Sequence, residues 1–349
     1  MRGESKVRGG KLVAVEFEVA AGRIAEPHVA GDFFLEPDEA LGRIEAGLTG
    51  QPADAGLAEL AAAVEAALAP TDHLIGFTPR DVGFAVRRGL GEATTWDDQA
   101  FELIVDGPRP PHMHMALDEV YARALSEGRR GPTLRLWTWE RPGVVLGSFQ
   151  SYSNEVDQSA VDRYGVTVTR RVSGGGAMFV EPGNTITYSL VVPGSLVDGL
   201  SFEQSYEFLD TWVLVALRQL GIDVSYAPLN DIVSPAGKIA GAAQKRLADG
   251  TVLHHVTMSY DIDADKMLQV LRIGRTKLSD KGIASANKRV DPLRSQTNLP
   301  RQAVVDHFVE SFRAQYRLTD STVRPPEEAE ALALVDSKFG TPDWIHRIP

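Results

Sequence analysis

The segment with the most distinctive chemistry runs from Arg170 to Asn184 and reads RRVSGGGAMFVEPGN. Three successive glycines let backbone N–H groups approach an anion closely, and arginine adds a planar, permanently charged donor. The segment lacks the Gly-Lys-Ser/Thr of a P-loop and the spacing of a dinucleotide-binding fingerprint. Two interpretations stay open: an anion-binding loop, or a glycine-rich turn beside two solvated arginines.

A second candidate is the strand pattern GKIAGAAQ, which begins at Gly237 and follows Asn230-Asp231-Ile232. Lys238 is the one charged residue among small side chains, which leave space for a ligand along the strand. Lysine acts there as a mobile point charge for a phosphate or a carboxylate. The alternative is a solvated lysine on an edge strand.

The histidines do not form a convincing metal site. His254 and His255 are adjacent on a predicted strand, so their rings point to opposite faces and one of them is expected in packing or hydrogen bonding. His112 and His114 follow a proline pair and are expected in a loop. No GxSxG elbow and no carboxylate pair at hydrolase spacing is present.

The elements that must position these residues fall into two groups. Apolar and polar residues alternate over 11–20 and 23–29, which predicts a hairpin. Helices are predicted from Pro37 to Gly47 and from Leu57 to Leu68. The polar stretch 88–98 has no periodicity, which places a domain boundary near Glu92. Beyond it, short strands alternate with helices without a regular βαβ rhythm, which favours an α+β fold. The strands are predicted at 101–105, 134–139, 144–146, 166–172, 185–192, 237–246 and 252–261, and the helices at 115–126, 202–220 and 301–316.

Composition narrows the chemistry further. The 349 residues include no cysteine, which removes disulfides, thiolate metal sites and a cysteine nucleophile. A net charge of −11 argues against nucleic-acid binding. No secretory signal or membrane-length apolar run is present, so a cytoplasmic protein is expected. From Asp265 to Arg301, nine Lys or Arg accompany three Asp, which indicates either a solvated face or a surface for phosphates or an acidic carrier.

Several of these pieces together resemble the lipoate-protein ligases, in the wider group that includes biotin ligases and octanoyl transferases. The matching stretches occur in the family's order across residues 95–317. They are ALDE from Ala116, LRLWTWERPGVVLGSFQ from Leu134, RRVSGGGAMF from Arg170, Gly183-Asn184, NDI with GKIAGAAQ, and LHH from Leu253. The resemblance implies a mixed-sheet catalytic domain that converts lipoate or octanoate with ATP and Mg²⁺ to an acyl-adenylate such as lipoyl-AMP. The acyl group is then transferred to a lysine of a lipoyl carrier, in an oxoacid dehydrogenase acyltransferase subunit or a glycine-cleavage H-type protein.

The resemblance also implies roles for particular residues. Lys238 corresponds to the lysine that contacts the lipoyl carboxylate and the α-phosphate, and Asp231 to a residue that supports nucleotide or magnesium binding. The residues implied in nucleotide and substrate binding are Arg171, Ser173, Gly174, Gly175, Gly176, Ala177, Met178, Phe179, Asn184, Asp231, Gly241 and His255. Two positions differ from the family's usual residues: Val180-Glu181 replaces His-Asp, and Val256 replaces Gly.

Domain order is also unusual. Residues 1–92 resemble the family's accessory domain, which commonly follows the catalytic domain or is a separate chain, and residues 93–349 form the implied catalytic domain with a C-terminal extension around Trp344. A monomer is expected. Three alternatives stay open: an octanoyl or lipoyl transferase, whose relatives use a cysteine; a biotin ligase; and a non-catalytic protein that binds lipoyl-adenylate or lipoyl domains.

Overall fold

A computed structural model describes residues 1–6, 11–90, 94, 96–198, 200–272 and 292–348. The chain divides into two compact units. Unit 1 comprises Met1–Thr95 together with Ser195–Ser201, and unit 2 comprises Trp96–Gly194 and Phe202–Pro349. No helix in the described ranges combines the length and the apolar character needed to cross a membrane.

Unit 1 contains two small sheets and a set of helices. Its elements are strands β1 (Arg2–Lys6), β2 (Leu12–Ala20), β3 (Arg23–Gly31), β4 (Phe34–Glu36) and β5 (His73–Ile75), with helices α1 (Ala40–Leu48), α2 (Leu57–Ala67) and α3 (Pro79–Leu90). Strands β1, β2 and β3 form one antiparallel sheet, and β4 pairs with β5. The predicted hairpin is confirmed, because Ala21 and Gly22 connect β2 to β3 with positive φ angles, as its tight turn requires.

Helix α3 was missed by the periodicity argument, which treated residues from Arg88 onward as an aperiodic linker. The structure continues the helix to Leu90. The reason is packing: a Cβ on Gly89 would lie 2.7 Å from the ring of Phe17. The helix also buries Val82, Phe84, Ala85 and Val86, so most of its packed face is visible in the sequence, and only its last turn approaches β2 through a glycine.

Unit 2 is built on an eight-stranded mixed sheet, in agreement with the predicted fold class. Its strands are β6 (Ala100–Arg109), β7 (Thr133–Trp139), β11 (Thr185–Val192), β12 (Ser225–Ala227), β13 (Asp231–Ser234), β14 (Gly237–Arg246), β15 (Val252–Ser259) and β16 (Arg317–Asp320). Their order is β12-β13-β14-β15-β11-β7-β6-β16. The pairs β6–β7 and β6–β16 are parallel, and the other neighbours are antiparallel.

Helices cover both faces of this sheet. The remaining helices of unit 2 are α4 (Pro111–Ser126), α5 (Tyr152–Glu155), α6 (Gln158–Tyr164), α7 (Phe202–Gln219), α8 (Ala264–Val270), α9 (Leu293–Thr297), α10 (Arg301–Gln315), α11 (Pro325–Leu334) and α12 (Pro342–Ile345). Helix α4 packs on β11 and β15, and twelve of its sixteen residues are buried. Helix α7 lies on the other face, where Trp212 contacts Tyr188 of β11 and Phe312 of α10.

A second, three-stranded sheet carries the glycine-rich segment. Its strands are β8 (Gly143–Leu146), β9 (Thr167–Arg170) and β10 (Met178–Val180), in the order β10-β8-β9. The segment from Arg171 to Ala177 therefore connects two strands of this sheet that both pair with β8. The expected strand 166–172 ends earlier, at Arg170.

Most of the basic segment 265–301 lies outside the described residues. The expectation of a loop around His112 and His114 was wrong, because α4 begins at Pro111. A proline is well suited to the first turn of a helix, where its missing N–H has no partner to lose. The proline pair therefore marks a helix start rather than a loop.

Candidate functional site

The glycine-rich loop lies close against the end of strand β8. Gly175 has φ +92°, a conformation that glycine adopts without a Cβ clash. A Cβ on Gly147 would overlap the carbonyl oxygen of Gly175. The N–H of Ser148 donates to the carbonyl of Ser173 over 2.8 Å. The loop therefore depends on glycine both within itself and in the neighbouring segment.

Arg171 directs most of its N–H groups into the loop itself. Its Nε lies 3.0 Å from Ser173 Oγ, and its Nη2 lies 2.6 Å from the carbonyl oxygen of Gly174 and 2.9 Å from that of Gly176. The Nη1 group donates to the carbonyl of Val145 over 3.2 Å. Burial lowers the pKa of Arg171 to about 10, so the guanidinium is charged at neutral pH. The side chain therefore connects two loop carbonyls to the carbonyl of Val145 on strand β8.

His255 connects the loop to helix α4 through buried hydrogen bonds. Its Nδ1 lies 2.9 Å from Asp118 Oδ2, and its Nε2 lies 2.6 Å from Ser173 Oγ. Burial lowers the pKa of His255, so the ring is neutral at pH 7. Because the carboxylate can only accept, Nδ1–H donates to Asp118 and Nε2 accepts the Ser173 hydroxyl. The result is a continuous chain Asp118–His255–Ser173–Arg171.

The neighbouring ring, His254, points to the opposite face of β15, as the two-residue period predicts. Its Nε2 lies 2.7 Å from Asp210 Oδ1 of α7. The same carboxylate oxygen accepts the hydroxyl of Tyr188 over 2.7 Å. The two histidines therefore form separate buried pairs with carboxylates on opposite sides of the sheet, and a shared metal is ruled out by geometry.

Lys238 lies near the start of β14, with Nζ 2.7 Å from Asp231 Oδ1. Asp231 and Gly241 are paired across β13 and β14. A Cβ on Gly241 would lie 3.0 Å from Lys238 Nζ, so the glycine gives the lysine room to fold back along its strand. Asn230 fixes this corner by donating its side-chain amide to the carbonyl of Ala242 over 2.5 Å.

These residues surround a cavity of about 110 Å³ in unit 2, here called the ligand cavity. Seven of the sequence-predicted site residues line it: Arg171, Gly176, Ala177, Met178, Lys238, Gly241 and His255. The others do not line it: Ser173, Gly174, Gly175, Phe179, Asn184 and Asp231. Ser173, within the loop, and Phe179, on strand β10, are fully buried, and Asp231 contacts the cavity residue Lys238.

Sequence reasoning missed the rest of the wall: Met115, Trp137, Trp139, Val145, Thr187, Asn230, Ala242, Ala243 and Thr257. One available signal was the spacing of Trp137 and Trp139, which places both rings on one face of β7. Their indoles contact each other with centroids 5.9 Å apart. Most of this added wall is apolar, as binding an alkyl chain requires.

Asn184 and the three residues that differ from the family pattern, Val180, Glu181 and Val256, do not line the ligand cavity. Val180 is fully buried. Glu181 forms an ion pair with Lys266 over 2.9 Å and accepts a hydrogen bond from the side-chain amide of Asn184 over 3.3 Å. It also accepts the N–H of Asp263, the residue that caps α8. Glu181 thus attaches helix α8 to the β10–β11 turn.

Arg170 performs a different task from its neighbour Arg171. Its guanidinium donates to the carbonyls of Gly147, Gln150 and Ile345. The indole N–H of Trp344 in turn donates to the carbonyl of Arg170 over 2.9 Å. Arg170 therefore fastens the C-terminal helix α12 to the strand that precedes the loop.

Unit 2 thus combines a mixed sheet with a partly apolar cavity whose wall includes a strand lysine, Lys238, and part of the glycine-rich loop. The family model for the lipoyl protein ligase A/B catalytic domain matches residues 110–313. The chain belongs to this family.

Two curated relatives match over most of their own length. Lipoate-protein ligase A subunit 1 of Thermoplasma acidophilum is 28% identical over 69% of this chain and 94% of the relative. Octanoyltransferase LipM of Halalkalibacterium halodurans is 25% identical over 71% of this chain and 99% of the relative. The family thus includes ligases and octanoyl transferases at comparable similarity.

Solved structures give the same family. The bi-partite lipoate protein ligase of Thermoplasma acidophilum, described with its E2 lipoyl domain, aligns with TM-score 0.63 and 27% identity over 72% of this chain and 97% of that chain. A lipoate-protein ligase A bound with ATP aligns with TM-score 0.61 and 24% identity, over 72% of this chain and 100% of that chain. The second match supports the fold.

Proposed function

We propose that this protein is an ATP-dependent lipoate-protein ligase, which adenylates lipoate or octanoate and transfers the acyl group to a lysine of a lipoyl carrier domain. The observation that carries the proposal is the position of Lys238 between Asp231 and the ligand cavity, in a chain of 349 residues without cysteine. An acyl transfer without a thiol requires another activated intermediate, and an acyl-adenylate supplies one.

The activation step needs charge neutralisation rather than a nucleophilic side chain. The substrate carboxylate attacks the α-phosphate of ATP, pyrophosphate leaves, and the acyl-adenylate remains. Lys238 offers its ammonium to the carboxylate and the α-phosphate, and the backbone N–H groups of Gly176 and Ala177, two loop residues that line the ligand cavity, are offered to the nucleotide. Arg171 acts mainly by keeping this loop in shape, since most of its donors are used there.

Magnesium fits this site as a companion of the nucleotide. Mg²⁺ is commonly held by one or two carboxylates together with substrate phosphates. In the described part of the chain, no three His, Asp or Glu side chains are grouped to hold a metal. Asp231 would be the protein ligand, where the ion would neutralise phosphate charge. Asn184, hydrogen-bonded to Glu181, would support the nucleotide from the side.

The transfer step completes the reaction. The uncharged amine of a carrier lysine attacks the acyl carbonyl, AMP leaves with the bonding electron pair, and the nitrogen releases one proton to solvent as the amide forms. Binding of the acyl chain between Trp137, Trp139 and Met115 keeps the carbonyl at the Lys238 end of the cavity. Carriers are expected among oxoacid dehydrogenase acyltransferase subunits or glycine-cleavage H-type proteins. Unit 1 is proposed as the accessory domain that assists activation.

A second candidate is an octanoyl transferase, because a LipM relative covers as much of this chain as the ligase does. One assay separates the candidates: pyrophosphate release from ATP with lipoate, octanoate or biotin, with and without a carrier. A ligase releases pyrophosphate with lipoate or octanoate alone and modifies the carrier when it is added. Acyl transfer from one carrier to another without ATP, and no pyrophosphate release, would refute the ligase proposal.

A further inference from the structure

The C-terminal helix α12 is attached to the strand that leads into the glycine-rich loop, although none of its residues lines the ligand cavity. Two side chains make this attachment in opposite directions. Arg170, the last residue of β9, donates from Nε and Nη2 to the carbonyl of Ile345 over 3.0 and 2.7 Å. Trp344 donates its indole N–H to the carbonyl of Arg170 over 2.9 Å. This reciprocal pair of contacts is here called the clasp.

The C-terminal segment that carries the clasp is itself firmly placed. Phe339 is fully buried in the core of unit 2, and the ring of Trp344 contacts it with centroids 5.9 Å apart. The hydroxyl of Thr341 caps α12 by accepting the N–H of Trp344 over 3.3 Å. After the helix, the carbonyl of Ile348 accepts the N–H of Tyr152 over 3.0 Å. Core packing therefore gives the clasp a fixed support.

The third nitrogen of the Arg170 guanidinium connects the clasp to the turn after β8. Its Nη1 donates to the carbonyls of Gly147 and Gln150 over 2.8 and 2.7 Å. Burial lowers the pKa of Arg170, and the nearby guanidinium of Arg347 lowers it further. Within the described residues, no carboxylate forms an ion pair with Arg170, and its partners are backbone carbonyls. The buried charge therefore depends on all three carbonyls for its stabilisation.

The turn after β8 is in direct contact with the glycine-rich loop. The N–H of Ser148 donates to the carbonyl of Ser173 over 2.8 Å. Gly147 lies so close to Gly175 that a Cβ on it would overlap the carbonyl oxygen of Gly175. The turn itself is closed by the side chain of Gln150, which accepts the N–H of Gly147 over 2.8 Å. Because the two backbones are already in close contact, a shift of the turn displaces the loop.

We propose that Trp344 and Arg170 are positioning residues for the glycine-rich loop, and that helix α12 thereby determines the affinity for the nucleotide without touching it. This inference rests on the proposed function, in which loop N–H groups are offered to ATP. The side chains proposed to surround the acyl chain, Met115, Trp137 and Trp139, receive no hydrogen bond from the clasp in the described structure. The clasp should therefore affect the nucleotide and not the acid.

The connection between α12 and the loop also acts in the opposite direction. A coupling free energy between two sites is reciprocal, so each site changes the other by the same factor. If α12 favours the loop conformation that binds ATP, then ATP at the loop favours the attachment of α12. A helix that served only to stabilise the fold would respond to ATP no more than a helix on the opposite face of the sheet.

Trp344→Phe tests the clasp in the full-length protein, because it keeps an aromatic ring and removes the N–H donor to Arg170. Initial rates of pyrophosphate release give kcat and the KM for ATP, and calorimetry gives the Kd for octanoate. We expect the KM for ATP to rise about fivefold, as the loss of one hydrogen bond implies. The kcat and the octanoate Kd should remain unchanged. Arg170→Lys, which lacks the forked donor, should raise the KM further.

Trp212→Phe is the matched control. Trp212 is a fully buried tryptophan on α7 that does not line the ligand cavity, and its indole N–H has no hydrogen-bond partner in the described part of the chain. The variant makes the same change of side chain and disturbs core packing, but it breaks no contact of the clasp. Its KM for ATP should match the wild type. An equal rise in both variants would trace the effect to general destabilisation and overturn the proposal.

Hydrogen–deuterium exchange separates the clasp from the proposed function, because it needs no turnover. Without nucleotide, the loop amides of residues 173–177 should exchange faster in Trp344→Phe than in the wild type, and at the wild-type rate in Trp212→Phe. In the wild type, ATP with Mg²⁺ should slow exchange in α12 more than in α7.

The outcomes of these measurements are distinct. Faster loop exchange in Trp344→Phe, in a protein whose wild type neither binds ATP nor releases pyrophosphate, would refute the ligase function and retain the loop-positioning role of the clasp. Unchanged loop exchange in a folded Trp344→Phe variant overturns the inference. A KM for ATP that stays at the wild-type value while the loop exchanges faster also overturns it, since α12 would then not determine nucleotide affinity.

Discussion

Lys238 Nζ lies 2.7 Å from Asp231 Oδ1, and Gly241 supplies the space in which this ion pair forms beside the ligand cavity. The lysine is about one third exposed, so the pair is a means of placing the ammonium rather than a large source of stability. The small residues that follow Lys238 on β14, recognisable in the sequence, thus allow its ammonium to take a defined position.

Removing this ammonium is expected to stop activation while the fold remains. Lys238→Ala should lower the rate of adenylate formation by about 100- to 1,000-fold, because loss of one such preorganised contact costs about 3–4 kcal/mol in the barrier. The rate is measured as pyrophosphate release with lipoate, and the fold by circular dichroism. Lys245→Ala, which removes an exposed lysine farther along the same strand, is the control and should react normally. A Lys238→Ala variant with near wild-type rate would remove this lysine from the mechanism.

The buried guanidinium of Arg171 is predicted to be irreplaceable by lysine. Four hydrogen bonds leave it in different directions, and a single ammonium cannot make them all. Arg171→Lys should lower the free energy of unfolding by about 2 kcal/mol or more and raise the KM for ATP. Urea denaturation and initial rates provide the measurements. Arg163→Lys, at an exposed position, should change neither; an unchanged KM in Arg171→Lys would contradict the loop-holding role.

Contact between two glycines gives a third prediction. Gly147→Ala places a methyl group against the backbone of Gly175, which cannot yield without moving the loop. We expect a loss of stability of about 1–3 kcal/mol and weaker ATP binding. Gly176→Ala introduces the same methyl group where no atom lies within 4 Å, so its stability should match the wild type. Equal melting temperatures for the two variants would show that the approach is not tight.

A pH dependence of stability follows from His114, which is buried between Trp137 and Trp139. Burial, with a further effect of the Arg135 guanidinium, lowers the pKa of His114 well below its usual value. The unfolded chain therefore binds a proton at this ring when the folded chain does not. As the pH falls below about 6.5, the free energy of unfolding should decrease by up to about 1.4 kcal/mol per pH unit for this group.

Unfolding by urea between pH 5.5 and 7.5 measures this slope. His114→Gln, which can still donate to Thr138 and accept from Arg135, should reduce it, and His255→Gln should reduce it further, because burial also lowers the pKa of His255. The exposed His28→Gln should leave the slope as it is. A slope that persists in the His114 and His255 variants would assign the effect to other groups.

Periodic patterns of apolar residues predicted much of the fold. They did not reveal the places where the backbone itself, rather than a side chain, makes the packing contact. The hairpin, the strands around Lys238 and His255 and the opposite orientation of His254 and His255 follow from a period of two. The last turn of helix α3 was treated as a linker because it packs through Gly89, although Val82, Ala85 and Val86 earlier in the helix form an apolar face. Thr187 and Ala243 were not predicted as part of the cavity wall, because they lie on strands that are distant in sequence and meet only in the folded sheet. Similarly, nothing in RRVSGGG reveals that Arg170 holds the C-terminal helix and that Arg171 holds the loop.

The last prediction concerns the proposed role of unit 1. In this proposal, residues 1–92 assist activation by excluding water while the adenylate forms, whereas the carrier must reach the acyl carbonyl afterwards. A tether raises local concentration and does not alter contacts. A truncated protein of residues 93–349 should therefore fold and transfer lipoate from supplied lipoyl-adenylate to a carrier, with little pyrophosphate release from ATP. Residues 1–92 added as a separate chain should restore activation with saturable concentration dependence.

The cysteine-free chain simplifies this experiment, because neither fragment can form disulfide-linked products. The fragment of residues 93–349 loses the partners of the short segment Ser195–Ser201, which belongs to unit 1, so its fold is checked first by circular dichroism and thermal melting. Lys238→Ala in the same fragment is the reference for absent activation. Normal activation by the fragment alone would show that unit 1 has another role. Loss of transfer together with activation, in a folded fragment, would show that both steps need unit 1.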